Sequence, residues 1–208
     1  MALPFQIMII TDEGADVLQR VEQALHVAPE VATQVAVQLR LKTWPLAEVR
    51  ALGEKLRILT RARGAALLVN GRLDLALELA ADGLHLPAQS TPVADARAAL
   101  PEKAFVGVSC HARNDLARAA AEGASYALLS PIHAVPGKAP PLGVTEFGIM
   151  ARGAALPVFA LGGIALDDVS PLRQAGAAGI AVMRAVLSSS DPARALTSLC
   201  EHWDDHPA

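Results

Sequence analysis

The chain is poor in aromatic residues. Phe, Trp and Tyr make up 3% of it, too few for the stacking platforms on which single-stranded nucleic acids lie. It has no basic excess either. Eighteen Lys and Arg against 21 Asp and Glu give a formal net charge of −3, which removes the electrostatic footprint of a nucleic-acid binder. The two cysteines, Cys110 and Cys200, lie far apart and form no CxxC or zinc-type spacing. A reduced, intracellular setting is therefore expected. No apolar run reaches the length of a membrane span. The first residues, MALPFQIMIITDEG, have no basic n-region and no cleavage signature, and read as a first strand. These absences together predict a cytoplasmic protein with no membrane or nucleic-acid partner.

What the chain has is apolar bulk in a regular order. It is 52% hydrophobic over 208 residues, enough for one well-buried domain spanning 1–208. Short runs rich in Val, Ile and Leu alternate with longer Ala/Leu/Glu/Arg segments of helical spacing. The runs are FQIMIIT (5–11), VAVQLRL (35–41), AALLVN (65–70), GLHLP (83–87), AFVGVSC (104–110), YALLSPI (126–132), PVFALGG (157–163) and GIAVMRAV (179–186). Gly64, Gly123 and Gly176 stand where helices should end. Eight strand–helix units imply a parallel sheet closed into a (β/α)8 TIM barrel, with an open doubly wound sheet as the alternative. The tail DDHPA is expected to fray.

In such a barrel the active site lies at the C-terminal ends of the strands. Buried strands are normally apolar throughout, so polar residues at those ends stand out. In VQLRLK (37–42), side-chain alternation puts Gln38, Arg40 and Lys42 on one face and the apolar residues on the other. An Arg and a Lys converging at the mouth make an anion site suited to phosphate. The competing explanation is an edge strand with a solvated face. Asn70, before Gly71, either offers an amide to a ligand or simply forms the turn. Asp74 suits a helix N-terminus. His85 on an apolar strand reads as a core histidine, and Ser109 as a hydroxyl contact to a substrate oxygen. His85, His111 and His133 follow consecutive strands, but their spacing matches no metal motif and no carboxylate joins them. Gly162-Gly163 and Arg184 fall after strands seven and eight, the recurrent phosphate site of these barrels. SPIHAVPGK (130–138) carries His133 and Lys138 on the sixth strand-to-helix loop.

The ordered set VQLRLK, LLVNGRLDLALELAADGLHL, VGVSCH, SPIHAVPGK, PVFALGGI and GIAVMRAV resembles the thiamine phosphate synthases and the related TenI thiazole tautomerases, across nearly the whole chain. The resemblance implies that Arg40, Lys42, Asn70, Ser109 and Lys138 occupy the pyrophosphate side, and Gly162 and Gly163 the thiazole-phosphate turn. It also exposes departures. The synthases carry magnesium-binding acids where this chain has Gly71 and the stretch Pro87–Ser90. They carry threonines where it has Val135 and Gly137, and a serine where it has Arg184. The histidine of TenI falls at Pro131, two residues before His133.

The missing acids lead to the expectation of a TenI-like member that works without a metal cofactor. It would bind a thiazole phosphate and shift a proton, with His133 as base and Lys138 stabilising negative charge. The alternatives are a true synthase, for which Mg²⁺ would be required, and a non-catalytic phosphate-ligand protein. The implied partners are small phosphorylated thiamine precursors, with a homo-oligomer possible.

Overall fold

Residues 3–88 and 90–205 are described by a computed structural model. Gln89, in the stretch noted for its missing acid, and residues 206–208 of the tail lie outside the described residues.

Eight parallel strands close into a barrel in chain order. They are β1 (Ile7–Ile10), β2 (Val35–Leu39), β3 (Ala66–Asn70), β4 (Gly83–Leu86), β5 (Phe105–Cys110), β6 (Tyr126–Leu129), β7 (Val158–Leu161) and β8 (Gly179–Val182). The outer layer comprises α1 (Val17–Ala24), α2 (Pro29–Ala32), α3 (Leu46–Arg63), α4 (Leu73–Glu78), α5 (Val93–Ala99), α6 (Arg113–Ala121), α7 (Gly143–Arg152), α8 (Val169–Gln174), α9 (Arg184–Leu187) and α10 (Pro192–Asp204). The barrel closes where Ile7, Met8 and Ile9 of β1 pair with Ile180, Ala181 and Val182 of β8. Helix ends fall where the glycines predict. Gly64 follows α3 at φ 77° and donates its N–H to the Arg61 carbonyl, a left-handed stop that a side chain would strain.

Strand alternation sorts the apolar residues into two cores. Val35, Val37 and Leu39 of β2 pack outward under the helices, whereas Ala36 points into the barrel with Met8, Ile10, Leu68 and Leu128. Four of the seven aromatics gather at the N-terminal ends of the strands. Phe5, Phe159 and Tyr126 lie with ring centroids 5.5 to 6.1 Å apart, and Phe105 sits edge-on to Phe5 at 5.6 Å. Each fully buried ring of this size contributes about 1.5–3 kcal/mol by leaving water. They plug the barrel floor and leave the opposite mouth for chemistry. Gly107 is on the inward face of β5 because a Cβ there would run into the Tyr126 ring.

Several strands are shorter than the apolar runs; β2 stops at Leu39, short of Arg40 and Leu41. GIAVMRAV is not one strand: β8 stops at Val182 and the chain turns at Met183 into α9. Past the rim there is no neighbouring strand to pair with, so helical hydrogen bonds take over, from Leu187 N–H to the Met183 carbonyl among others. Likewise β6 ends at Leu129, before the cis Ser130–Pro131 peptide.

Candidate active site

A cavity of about 610 Å³ opens at the C-terminal mouth. Gln38, Arg40, Lys42, Asn70, Ser109, Lys138, Gly162, Gly163 and Arg184 all line it, together with His85, His111, Pro131 and Val135. Gln38 lies on the inward face of β2, and Arg40 and Lys42 follow just past the end of that strand, at the rim. Gln38 is buried, its Nε2 donating to Met8 Sδ at 3.3 Å.

Arg40 and Lys42 are held by two residues just past the end of β1. Arg40 N–H donates to Thr11 Oγ1 at 2.8 Å, and Thr11 donates back to the Arg40 carbonyl at 3.2 Å. Glu13 accepts the Lys42 N–H at 2.7 Å and the Thr43 hydroxyl at 2.7 Å. Neither Thr11 nor Glu13 stands out in the sequence. The available signal was their position just past an apolar strand, the same criterion that found Arg40.

Lys138 reaches the site by a turn whose residues dictate its shape. Val135, Pro136, Gly137 and Lys138 form a β-turn closed by Lys138 N–H to the Val135 carbonyl at 3.1 Å. Pro fixes φ at the second position, and Gly137, at φ 72°, supplies the positive φ that a type II turn requires at the third. The loop is pinned at its base, where Ile132 and His133 N–H groups donate to the Leu161 and Gly162 carbonyls and Leu142 and Gly143 N–H groups to those of Pro131 and Ile132. β2 and β6 stand opposite each other in the barrel order. Even so, the Lys138 charge is felt at Lys42. The Lys42 pKa is lowered first by Arg40, then by burial, then by Lys138, with Glu13 pulling it back up. Lys42 and Lys138 thus line one cavity from opposite sides of the barrel. Among the described residues, Arg40, Lys42, Lys138 and Arg184 make no ion pair, so their charge is available to a ligand.

His133 is not brought to this cavity. Its Nε2 lies 2.9 Å from Asp168 Oδ1, and Asp168 Oδ2 accepts the Ala165 N–H at 2.8 Å. The ring thus ties the sixth loop to the turn after β7. His111 is exposed at the rim and donates Nδ1–H to the Ser130 carbonyl at 2.8 Å. His85 is buried with one nitrogen on Ser109, Nε2 to Oγ at 2.9 Å. Desolvation, aided by the nearby Arg40 charge, pushes its pKa down to about 3, so the imidazole is neutral near pH 7.

The residues present do not fit a protein-held magnesium ion. The positions after β3 and β4 are Gly71 and Ser90. Asp74, the first acid after β3, is exposed and engaged by Arg72 at 3.0 and 2.7 Å, which holds its carboxyl down at about 2. Among the described residues no three His, Cys, Asp or Glu side chains are placed to share a metal ion. Also among them, no helix is long and apolar enough to cross a membrane.

A closed (β/α)8 barrel whose mouth gathers unpaired cations around a small-molecule cavity is an enzyme barrel, built to work at the C-terminal ends of its strands. The family described as thiamine monophosphate synthase matches residues 7–186, and the chain belongs to this family of thiamine-biosynthesis enzymes. It is similar to a putative thiamine-phosphate synthase of Geobacter sulfurreducens, 38% identical over 205 residues and 94% of each chain. The thiamine-phosphate synthase of Roseiflexus castenholzii is 36% identical, over 94% of this chain and 86% of the relative. The solved thiamine phosphate pyrophosphorylase of Pyrococcus furiosus superposes with a TM-score of 0.85 at 27% identity, over 97% of this chain and 96% of that one.

Proposed function

We propose that the protein is a transferase that joins a pyrimidine pyrophosphate to a thiazole phosphate. The observation that carries this reading is the unpaired trio Arg40, Lys42 and Lys138, which shares one cavity with the Gly162-Gly163 turn and Arg184. Two anionic substrates need two anion-binding ends, and the cavity offers both. The names borne by the relatives support the same chemistry.

In the reaction the C–O bond between the pyrimidine methylene and pyrophosphate breaks, and its electron pair leaves with the pyrophosphate. The thiazole nitrogen donates its lone pair to the methylene cation and a C–N bond forms, giving thiamine phosphate. The guanidinium of Arg40 and the ammonium groups of Lys42 and Lys138 stabilise the leaving charge, which is the main electrostatic demand of such an ionisation. Gly162 and Gly163 present backbone, and Arg184 a charge, to the thiazole phosphate. Ser109 and Asn70 orient oxygens between the two ends. The leaving charge is met by these cations, since Gly71 and Ser90 stand where the synthases carry acids.

A second reading, the proton shift of a TenI-like tautomerase, is favoured by one observation: Gly71 and Ser90 stand where the synthases have acids. It would need a base other than His133, which does not line the cavity. The test is to incubate the enzyme with both substrates, with Mg²⁺ or with EDTA, and to follow thiamine phosphate by mass. Condensation supports the first reading. No condensation at high enzyme concentration, with isomerisation of the thiazole carboxylate phosphate seen by NMR, replaces it with the second. Calorimetry with inorganic pyrophosphate is expected to show binding that persists in EDTA.

A further inference from the structure

We propose that Tyr126 fixes His85 in the tautomer that carries its proton on Nε2, so that Ser109 accepts from His85 and turns its own hydroxyl hydrogen into the cavity. Tyr126 is a positioning residue. It does not reach the cavity and acts through two others.

The three groups form a short chain from the barrel interior to the mouth. Tyr126 Oη lies 3.3 Å from His85 Nδ1, and His85 Nε2 lies 2.9 Å from Ser109 Oγ. Tyr126 is fully buried, against Phe5, Phe159 and the His85 ring. Among the described residues, His85 Nδ1 is the one hydrogen-bond partner of its hydroxyl. A neutral imidazole has one donor nitrogen and one acceptor. If Nδ1 carried the proton, it would donate to Tyr126 and leave the phenolic O–H without an acceptor in an apolar interior. An orphaned donor bears its full desolvation penalty, and orphaned buried donors are the rarest kind. If Tyr126 donates to Nδ1 instead, the phenolic hydrogen and the imidazole hydrogen both have an acceptor. The proton then sits on Nε2 and points at Ser109 Oγ.

The direction of this chain decides what Ser109 can do. A serine 2.9 Å from a histidine nitrogen is also the geometry of an activated nucleophile. That role requires a bare Nε2 able to take the serine proton. The assigned tautomer forbids it. Ser109 is left as a donor aimed at an anionic oxygen, with its lone pair partly neutralised by His85. His85 is buried and neutral, so the chain holds one arrangement across the neutral range. Gly107, one turn of the alternation below Ser109 on β5, makes room for the Tyr126 ring.

That the recipient is a phosphate or pyrophosphate oxygen rests on the function proposed above; the tautomer does not. The test therefore reads the ligand-free protein first. Long-range ¹H–¹⁵N spectra of ¹⁵N-labelled protein distinguish Nε2–H from Nδ1–H, with His85→Gln assigning the signal. The wild type is expected to show Nε2–H at neutral pH, and an Nδ1–H signal from His85 overturns the proposal by itself, whatever Tyr126→Phe does. Tyr126→Phe, checked for folding by circular dichroism, is expected to give a mixed tautomer. It should also bind inorganic pyrophosphate about five-fold more weakly, roughly the worth of one neutral hydrogen bond. A His85 spectrum unchanged in Tyr126→Phe overturns the role of Tyr126 whatever the affinity does. A changed spectrum with unchanged affinity overturns the step from His85 to Ser109. Failure of the condensation assay leaves all of these readouts intact.

Discussion

His133 Nε2 and Asp168 Oδ1 lie 2.9 Å apart, joining the loop after β6 to the turn after β7. The pair sits beside the mouth and fixes the wall of the cavity rather than facing its contents. Gly163 is packed against the same residue, so that a Cβ there would meet His133 Cβ at 2.9 Å. A general base contributes about 100- to 10,000-fold to a rate, and His133→Ala is expected to lose less than that lower bound in kcat. It should instead lower stability by about 1 kcal/mol, the worth of a typical hydrogen bond, and Asp168→Asn should do much the same. Steady-state kinetics and urea melts of the two variants check this. A hundredfold loss in His133→Ala alone would return the histidine to the chemistry.

The three cations at the mouth make a second prediction, about pH. Lys42 has its pKa lowered from 10.5, first by Arg40, and Lys138 adds to the effect. An ammonium is charged below its pKa, so anion affinity should fall as pH rises through the lowered value. Folding stability should move the other way in that window, because the unfolded chain still holds the proton that the folded chain has released. Lys138→Ala removes one repelling charge. The alkaline fall in pyrophosphate affinity is then expected to shift to higher pH, although the affinity itself drops. Calorimetric titrations across the alkaline range decide it, and an unmoved fall would mean that Lys138 does not share the site. Raising the salt should weaken binding in both proteins, since Arg40 is half-buried and Lys42 is exposed, as is Lys138 in the unsubstituted protein.

Gly162 has φ 111°, and a Cβ there would lie 2.9 Å from the Pro131 Cα, a backbone atom that cannot step aside. Gly162→Ala is expected to cost about 1–3 kcal/mol as stored strain and to raise KM for the thiazole phosphate. Gly123, at φ 82° with nothing within 4 Å of a built Cβ, is the control. Gly123→Ala should show the backbone cost without the steric one, and no change in KM.

Cys110 and Cys200 are buried, and burial pushes both thiols up to about 12. Thiolate is the reactive form. The native protein should therefore show no fast-reacting thiol toward Ellman's reagent, and both should appear on denaturation. A rapid native reaction would mean that one of the two sites opens readily.

Much of the fold was legible along the chain. Each strand is short and apolar, each helix is amphipathic or ends at a glycine, and these signals are local. Strand alternation alone places Gln38, Arg40 and Lys42 on one face, and the structure brings them to one cavity with Asn70, Ser109, Gly162, Gly163 and Arg184. The exceptions are informative. The run after Val182 looks like strand because Met-Arg-Ala-Val is apolar enough, yet no neighbour is present at the rim to pair with it.

Sequence by itself determined eight strand–helix units and a parallel sheet, because that local pattern has few ways to bury its apolar faces, and the β1–β8 pairing closed the sheet into a barrel. Sequence also determined the absence of acids at Gly71 and Ser90, since no folding can supply a carboxylate the chain lacks at those positions. Only the tertiary structure decided which polar groups meet. Thr11 and Glu13 clamp Arg40 and Lys42 across 29 residues of chain, Lys138 lines the same cavity as Lys42, and His133 turns to Asp168 across 35. Tyr126 meets His85 across 41. Hydrogen bonds and charges act at a few ångströms, and distance along the chain carries no record of which groups a closed barrel will bring that close.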